Sequence, residues 1–236
     1  MKKLTSLQSK FWSFIISRLI MKADKIKDPD DIRRDMSGDK ISFLRDKWKR
    51  EAYIDYTSYF IGHLEILKLS NKKVKSNKTL LYLHGGGYVA CGPETHGALI
   101  TQLSLITNSH VVFPIYRLAP ENPFPAAIED ALVSYKNLIE TGINPNDIYI
   151  AGDSAGGGLT LALLQKIRSE ELPMPSCAIV ISPWTDLTLS GNSIQERGHR
   201  DPMIKPGPAM QVTVNAYCGG EDASNPLISP LFADYS

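Results

Sequence analysis

Ile148-Tyr149-Ile150-Ala151 runs directly into Gly152-Asp153-Ser154-Ala155-Gly156, and after two further glycines the chain continues as LTLALLQKIR (Leu159 to Arg168). The first run is short and apolar, as in a buried strand, whereas the last carries the helical period, so the pentapeptide sits on a strand-to-helix turn. A G-x-S-x-G string is weak by itself, because small residues recur by chance. Here the strand, the turn and the helix that serine chemistry requires are all present. Such a turn holds Ser154 in a strained conformation with its Oγ exposed, and side chains at Gly152 and Gly156 would collide with neighbouring backbone. Gly157 and Gly158 extend the series although each costs about 1 kcal/mol relative to Ala inside a helix, which predicts close packing of this helix against the sheet.

Other strand-like runs flank this one: LEILKL (Leu64 to Leu69), LLYL (Leu80 to Leu83), VVFPI (Val111 to Ile115) and AIVI (Ala178 to Ile181). All but the first are nearly continuous in apolar residues and read as strands buried on both faces. Helical patterns lie between them at Leu99 to Thr107, Ala126 to Glu140 and Leu159 to Arg168. Strand and helix therefore alternate from 79 to 182, which predicts an open α/β sheet, mostly parallel and flanked by helices. Ligands on such sheets bind beyond the C-terminal strand ends.

One of those ends carries His84-Gly85-Gly86-Gly87-Tyr88, placed 70 residues before Ser154. Acyl transfer develops a negative oxygen, and each preorganised N–H donor contributes about 3 to 4 kcal/mol to holding it. Consecutive glycines let backbone approach a ligand closely, and the N–H of Ala155 would add a donor at a helix N-terminus. No P-loop lysine or G-x-G-x-x-G spacing is present to support a phosphate-binding alternative.

The 236 residues, 43% hydrophobic and 22% charged, suffice for one substantial core with a smaller attached segment. That composition excludes disorder, collagen and coiled coil. Cys91, Cys177 and Cys218 are far apart, odd in number and without C-x-x-C spacing, so they read as buried reduced thiols, with neither a disulfide framework nor a metal site. The formal charge of +1 conceals an asymmetry. Residues 1 to 50 hold 14 Lys/Arg against 7 Asp/Glu, net +7, and the rest hold 12 against 18, net −6. Without an arginine-rich run or a nucleic-acid module, the basic segment reads as a solvated helical face and nucleic acid is not an expected partner.

Within that segment, Leu4, Leu7, Phe11, Phe14, Ile15 and Leu19 fall at helical spacing and predict an amphipathic helix. A second helical stretch is expected between Asp30 and Arg50, broken near Ser37-Gly38. Arg18 interrupts the apolar run, no A-x-A-like site follows, and no stretch approaches the roughly 18 apolar residues of a membrane span, so a cytoplasmic location is expected. Docking of the amphipathic helix on a membrane surface is the less favoured alternative to its packing over a pocket.

Taken together, LHGGGYVACG, YRLAPENPFPAA (Tyr116 to Ala127) and AGDSAGG (Ala151 to Gly157) resemble the hormone-sensitive-lipase family of α/β-hydrolases, in its GDSAG esterase branch. SPWTDLT (Ser182 to Thr188) and SPL (Ser229 to Leu231) fit the same family, and the resemblance covers about residues 50 to 236. It implies a hydrolase core over 51–236 with a helical cap, built from the N-terminal segment 1–50 and a second piece near 187–216. It further implies carboxylester hydrolysis of short to medium acyl chains without metal or cofactor. Carried over by motif, Ser154 is the nucleophile and Gly86, Gly87 and Ala155 are the oxyanion donors. His84, Gly85, Gly152, Asp153 and Gly156 support these two motifs, and Arg117 and Glu121 hold the loop after VVFPI.

A serine nucleophile also needs a base and a carboxylate to orient it. The order in this fold is Ser, then Asp or Glu, then His, so His84 reads as a structural histidine and Asp153 is not the triad acid. Downstream of Ser154 only His199 remains, in RGHRDPM, with Asp186 or Asp201 as conceivable partners. The bland reading of His199 as a surface residue is favoured. The family's acid and histidine follow two further core strands, and no such runs are legible after AIVI. VTVNAYC (Val212 to Cys218) reads as part of a helix after Pro206-Gly207-Pro208. The expectation is thus a core lacking its last strands and helix, with the triad acid and base not evident. The competing class is a non-catalytic small-molecule binding protein on the same fold, as in the plant gibberellin receptors that resemble this family.

Overall fold

Thr79-Leu80-Leu81-Tyr82-Leu83 forms the middle of the sheet because every one of its side chains is buried, and the rest of the fold is arranged around it. The computed structural model describes residues 26–36, 53–201 and 207–235. In chain order the elements are α1 (Pro29–Met36), β1 (Ile54–Ile61), β2 (Leu64–Asn71), β3 (Thr79–Leu83), α2 (Pro93–Thr107), β4 (His110–Pro114), α3 (Ala126–Glu140), β5 (Ile148–Asp153), α4 (Ser154–Ser169), β6 (Cys177–Ile181), α5 (Asn192–Arg197) and α6 (Pro208–Cys218). The six strands form one sheet in the order β1-β2-β4-β3-β5-β6. The four strands β3 to β6 are mutually parallel where they pair, and β1 and β2 join antiparallel at one side.

The period of two along each strand separates two apolar layers. Leu81, Leu83, Val112, Ile148 and Ile150 face α3 and α4 in the larger layer. Leu80, Tyr82, Val111, Phe113 and Ala151 face the other side, where Ile100 of α2 covers them. Ile26 and Ile32 of the N-terminal stretch join the larger layer, together with Tyr88 and with Val214 and Tyr217 of α6. The predicted helix over Leu4 to Leu19 and the stretch from Ser37 onward to Arg50 lie outside the described residues.

Three expectations need correction. Ile54–Ile61, which the sequence does not mark as a strand, pairs with β2 through Ile61↔Leu64. Gly62 at φ 59° turns the hairpin, in the left-handed region that tight hairpin turns require. Its tyrosines, Thr57 and Ser58 blur the apolar alternation because this edge strand is half exposed. AIVI does form β6, but it is not buried on both faces: Ala178 is exposed and Val180 is 37% exposed. β6 pairs only with β5, and among the described residues no further strand covers its outer edge. For the same reason Cys177, at the start of β6, is exposed rather than buried; Cys91 is half-buried, Cys218 is buried, and all three cysteines are free.

Candidate active site

β3 and β5 are parallel neighbours in a register that sets Leu83 opposite Gly152. The two glycine motifs, distant in sequence, therefore leave the sheet side by side at its C-terminal edge, where open α/β sheets bind ligands. At the exit of β5 the backbone turns sharply into α4, and Ser154 takes φ 51°. A non-glycine residue there costs on the order of 1–3 kcal/mol and persists only when its surroundings enforce it. The enforcement is visible on both flanks. A Cβ at Gly152 would lie 2.2 Å from Gly156 O, and one at Gly156 would lie 2.0 Å from Leu83 O. The Trp184 N–H donates to Ser154 O at 2.8 Å. The close helix packing that Gly157 and Gly158 predict is also present, against Pro183 for the first and Trp184 O and Tyr88 Oη for the second.

The loop after β3 is a tight turn built on Gly86, at φ 120°, whose carbonyl accepts from the N–H groups of Val89 (3.2 Å) and Ala90 (3.1 Å). Among the described residues neither the Gly86 nor the Gly87 N–H has a hydrogen-bond partner. Ala155, in the first turn of α4, has no intrahelical acceptor for its own N–H. The turn and the elbow thus each present unoccupied backbone donors, and the α4 N-terminus adds its positive end.

Asp153 binds the two motifs together. Its Oδ1 accepts from Tyr82 Oη (2.8 Å) and from the Gly85 N–H (3.0 Å), and His96 Nε2 lies 3.2 and 3.4 Å from its two oxygens. Burial pushes the Asp153 carboxyl up, but the hydrogen bonds from His96, Tyr82 and Gly85 outweigh it and hold the group below the ordinary 3.8. A Cβ on Gly85 would lie 2.3 Å from Asp153 Oδ2, so glycine is required for this approach. Asp153 is fully engaged in the loop.

His84 is 1% exposed. Its Nδ1–H donates to Gly85 O at 2.7 Å, and its ring stacks on Tyr116 at 4.2 Å and on Phe113 at 5.4 Å. Burial, partly offset by the Gly85 carbonyl, lowers its pKa to about 4, so the ring is neutral at pH 7. His199 is exposed on the turn Gly198–Arg200, and its Nε2 accepts from Arg200 Nε at 3.3 Å. Asp186 is occupied by the N–H groups of Thr188 and Ser190 and by both hydroxyls. No described residue hydrogen-bonds the Ser154 hydroxyl.

Arg117 and Glu121 both hold the loop after β4, each through a different partner. Arg117 grips Asp130 at 2.8 Å and also reaches Glu129, whereas Glu121 pairs with Arg33 of α1. The sequence offers no signal for His96, Tyr82 or Arg33, since their partners lie 57, 71 and 88 residues away in the chain.

A family model described as the alpha/beta hydrolase fold matches residues 80–236. The chain belongs to that family. This α/β-hydrolase is 40% identical over 160 residues to an acetyl-hydrolase of Streptomyces hygroscopicus, covering 68% of the chain and 53% of that relative. It is 35% identical over 163 residues to an esterase of Acinetobacter venetianus, covering 69% and 54%. The crystal structure of EstE5 soaked with ethyl alcohol superposes with a TM-score of 0.87 at 34% identity, over 97% of this chain and 75% of that one. An esterase described as from the bacterial hormone-sensitive lipase family gives 0.84 at 30%, over 97% and 74%. These neighbours place the hydrolase in the hormone-sensitive-lipase branch, and it spans about half the length of the curated relatives it matches.

Proposed function

We propose that this polypeptide carries the nucleophile of a carboxylic ester hydrolase that acts through an acyl-serine on small acyl esters. Ser154 Oγ attacks the ester carbonyl carbon, and the carbonyl oxygen becomes an alkoxide that the N–H groups of Gly86, Gly87 and Ala155 receive. Collapse expels the alkoxide, which takes up the proton that the Ser154 hydroxyl gave up and departs as the alcohol, and leaves the acyl group on Ser154. Water then attacks the acyl-serine, releasing the carboxylic acid and restoring the hydroxyl. The observation that carries the reading is Ser154 at φ 51° at the head of α4, alongside a turn whose Gly86 and Gly87 N–H groups have no partner among the described residues. His84 is not the base, since its Nδ1–H is committed to Gly85 O and its pKa of about 4 leaves it a poor proton acceptor. The relatives' names support ester hydrolysis as the reaction class.

A second reading, binding of a small molecule without turnover, is favoured by one observation: no described histidine reaches Ser154. Hydrolysis of p-nitrophenyl acetate and butyrate by the wild type and by Ser154→Ala, with fluorophosphonate labelling, separates the two. Labelling at Ser154 with serine-dependent turnover establishes the hydrolase, whereas a folded, unlabelled wild type with turnover no greater than Ser154→Ala establishes the binding protein.

A further inference from the structure

The oxyanion turn is pinned at two ends by different parts of the chain. Asp153, from the elbow, holds the Gly85 N–H at its start. At its other end the Val89 carbonyl, three residues beyond Gly86, accepts from Arg33 Nε at 2.8 Å. The same guanidinium donates through Nη2 to Ala119 O at 2.8 Å and through Nη1 to Glu121 Oε1 at 2.7 Å. Ala119 is itself tied to the turn, its N–H donating to Tyr88 O at 2.9 Å. Arg33 therefore staples the Gly86–Ala90 turn to the loop after β4, from a helix that precedes the whole sheet in sequence.

We propose that Arg33 is a positioning residue for the oxyanion turn, so that the helix α1 sets the geometry of the Gly86 and Gly87 donors. This rests on the function proposed above. Only a planar fork with several donors reaches two carbonyls and a carboxylate at once, and lysine, a single point charge, does not. Glu121 orients the fork, and its pairing with Arg33 lowers its own pKa to about 2. Since α1 packs Ile32 into the core beside Tyr88 and Val89, the fork is presented from a seated helix.

The test compares the wild-type chain with Arg33→Ala, Arg33→Lys and Glu121→Gln. Hydrogen–deuterium exchange is followed at Gly86 to Ala90, with β3 and β5 as internal references, and kcat and KM are measured on p-nitrophenyl butyrate alongside the fluorophosphonate labelling rate of Ser154. Arg33→Ala is expected to speed exchange of the turn alone and to lower kcat and labelling about 10- to 100-fold, with KM within about twofold, because misplaced donors are felt in the transition state. Arg33→Lys follows Arg33→Ala, and Glu121→Gln loses less than about threefold because both carbonyl bonds survive. Unchanged exchange at Gly86 to Ala90 in a folded Arg33 variant overturns the proposal. So does a raised KM with intact kcat. Should the wild type neither label nor turn over, the hydrolase reading falls, and the exchange result still decides whether Arg33 holds the turn. Should Arg33→Ala not fold, Arg33→Lys carries the same comparison.

Discussion

β5 and β6 lie side by side, parallel, in a register from Tyr149↔Cys177 to Asp153↔Ile181, and their sequences are about equally apolar. Their surroundings are opposite. In β5, Ile148, Ile150, Ala151 and Gly152 are buried, with β3 on one side and helices on both faces, and the strand delivers Ser154. In β6, no residue is buried. Apolar composition brought both into the sheet, but neighbours on both edges and both faces give one of them the rigidity that a strained turn needs. The same substitution is therefore expected to have very different effects on the two strands.

The sharpest break in that comparison is Gly156→Ala beside the elbow. Its Cβ would lie 2.0 Å from Leu83 O and 2.5 Å from His84 O, both backbone atoms that cannot yield. Urea unfolding should show a loss above about 4 kcal/mol, with fluorophosphonate labelling abolished. Cys177→Ser on exposed β6 should stay within about 0.5 kcal/mol. Equal losses would show that the edge is as tightly held as the centre.

Next comes cavity formation. Leu81→Ala, at 0% exposure in β3, should cost about 2–5 kcal/mol. Val180→Ala, at 37% exposure in β6, should cost less than about 1.5 kcal/mol. The two urea midpoints measured on the same day decide it.

The centre should also be sensitive to pH. His84 titrates near 6.5 when unfolded and at about 4 when folded, so between those values the unfolded chain binds the extra proton. Its contribution is complete above pH 6.5 and shrinks by about 3 kcal/mol as pH falls to about 4. His84→Asn should flatten the stability slope between pH 7 and pH 4.5, and an unaltered slope would refute the assignment. Asp153, with a lowered pKa, works in the same direction, but only as pH falls below its ordinary 3.8.

The smallest effect belongs to the β1–β2 hairpin. Lys72 and Asp55 approach to 3.1 Å with side chains 60% and 59% exposed, and Lys72→Ala should change stability by no more than about 0.5 kcal/mol. Its test is the same urea midpoint at low and high salt.

What could be read without coordinates follows the range of the interactions. The elbow, the glycine turn and the helices at Ala126–Glu140 and Pro208–Cys218 are specified by residues within a few positions of one another, and they stand where the patterns put them. The same local information misjudged β6 and Cys177, because apolar residues enter a sheet whether or not a further strand covers them. It left β1 unmarked, since a half-exposed hairpin strand lacks strong alternation. It placed Glu121 in holding the loop after β4 but could not name its partner, Arg33, 88 residues earlier.

The sequence by itself determined that Ser154 sits on a strained strand-to-helix turn, that a triple-glycine loop follows another strand, and that the family is one of α/β-hydrolases. The first two depend on the conformational freedom of glycine and on periodicity, both local properties, and the third on the resemblance of the motifs around His84, Tyr116 and Ser154 to that family. Only the tertiary structure decided that Leu83 and Gly152 are neighbours, that Asp153 is spent on Gly85, Tyr82 and His96, and that Arg33 closes the turn from the far end of the chain. Polar partners are chosen by which groups the packed sheet leaves within about 3 Å of one another, and no pattern along the chain encodes that distance.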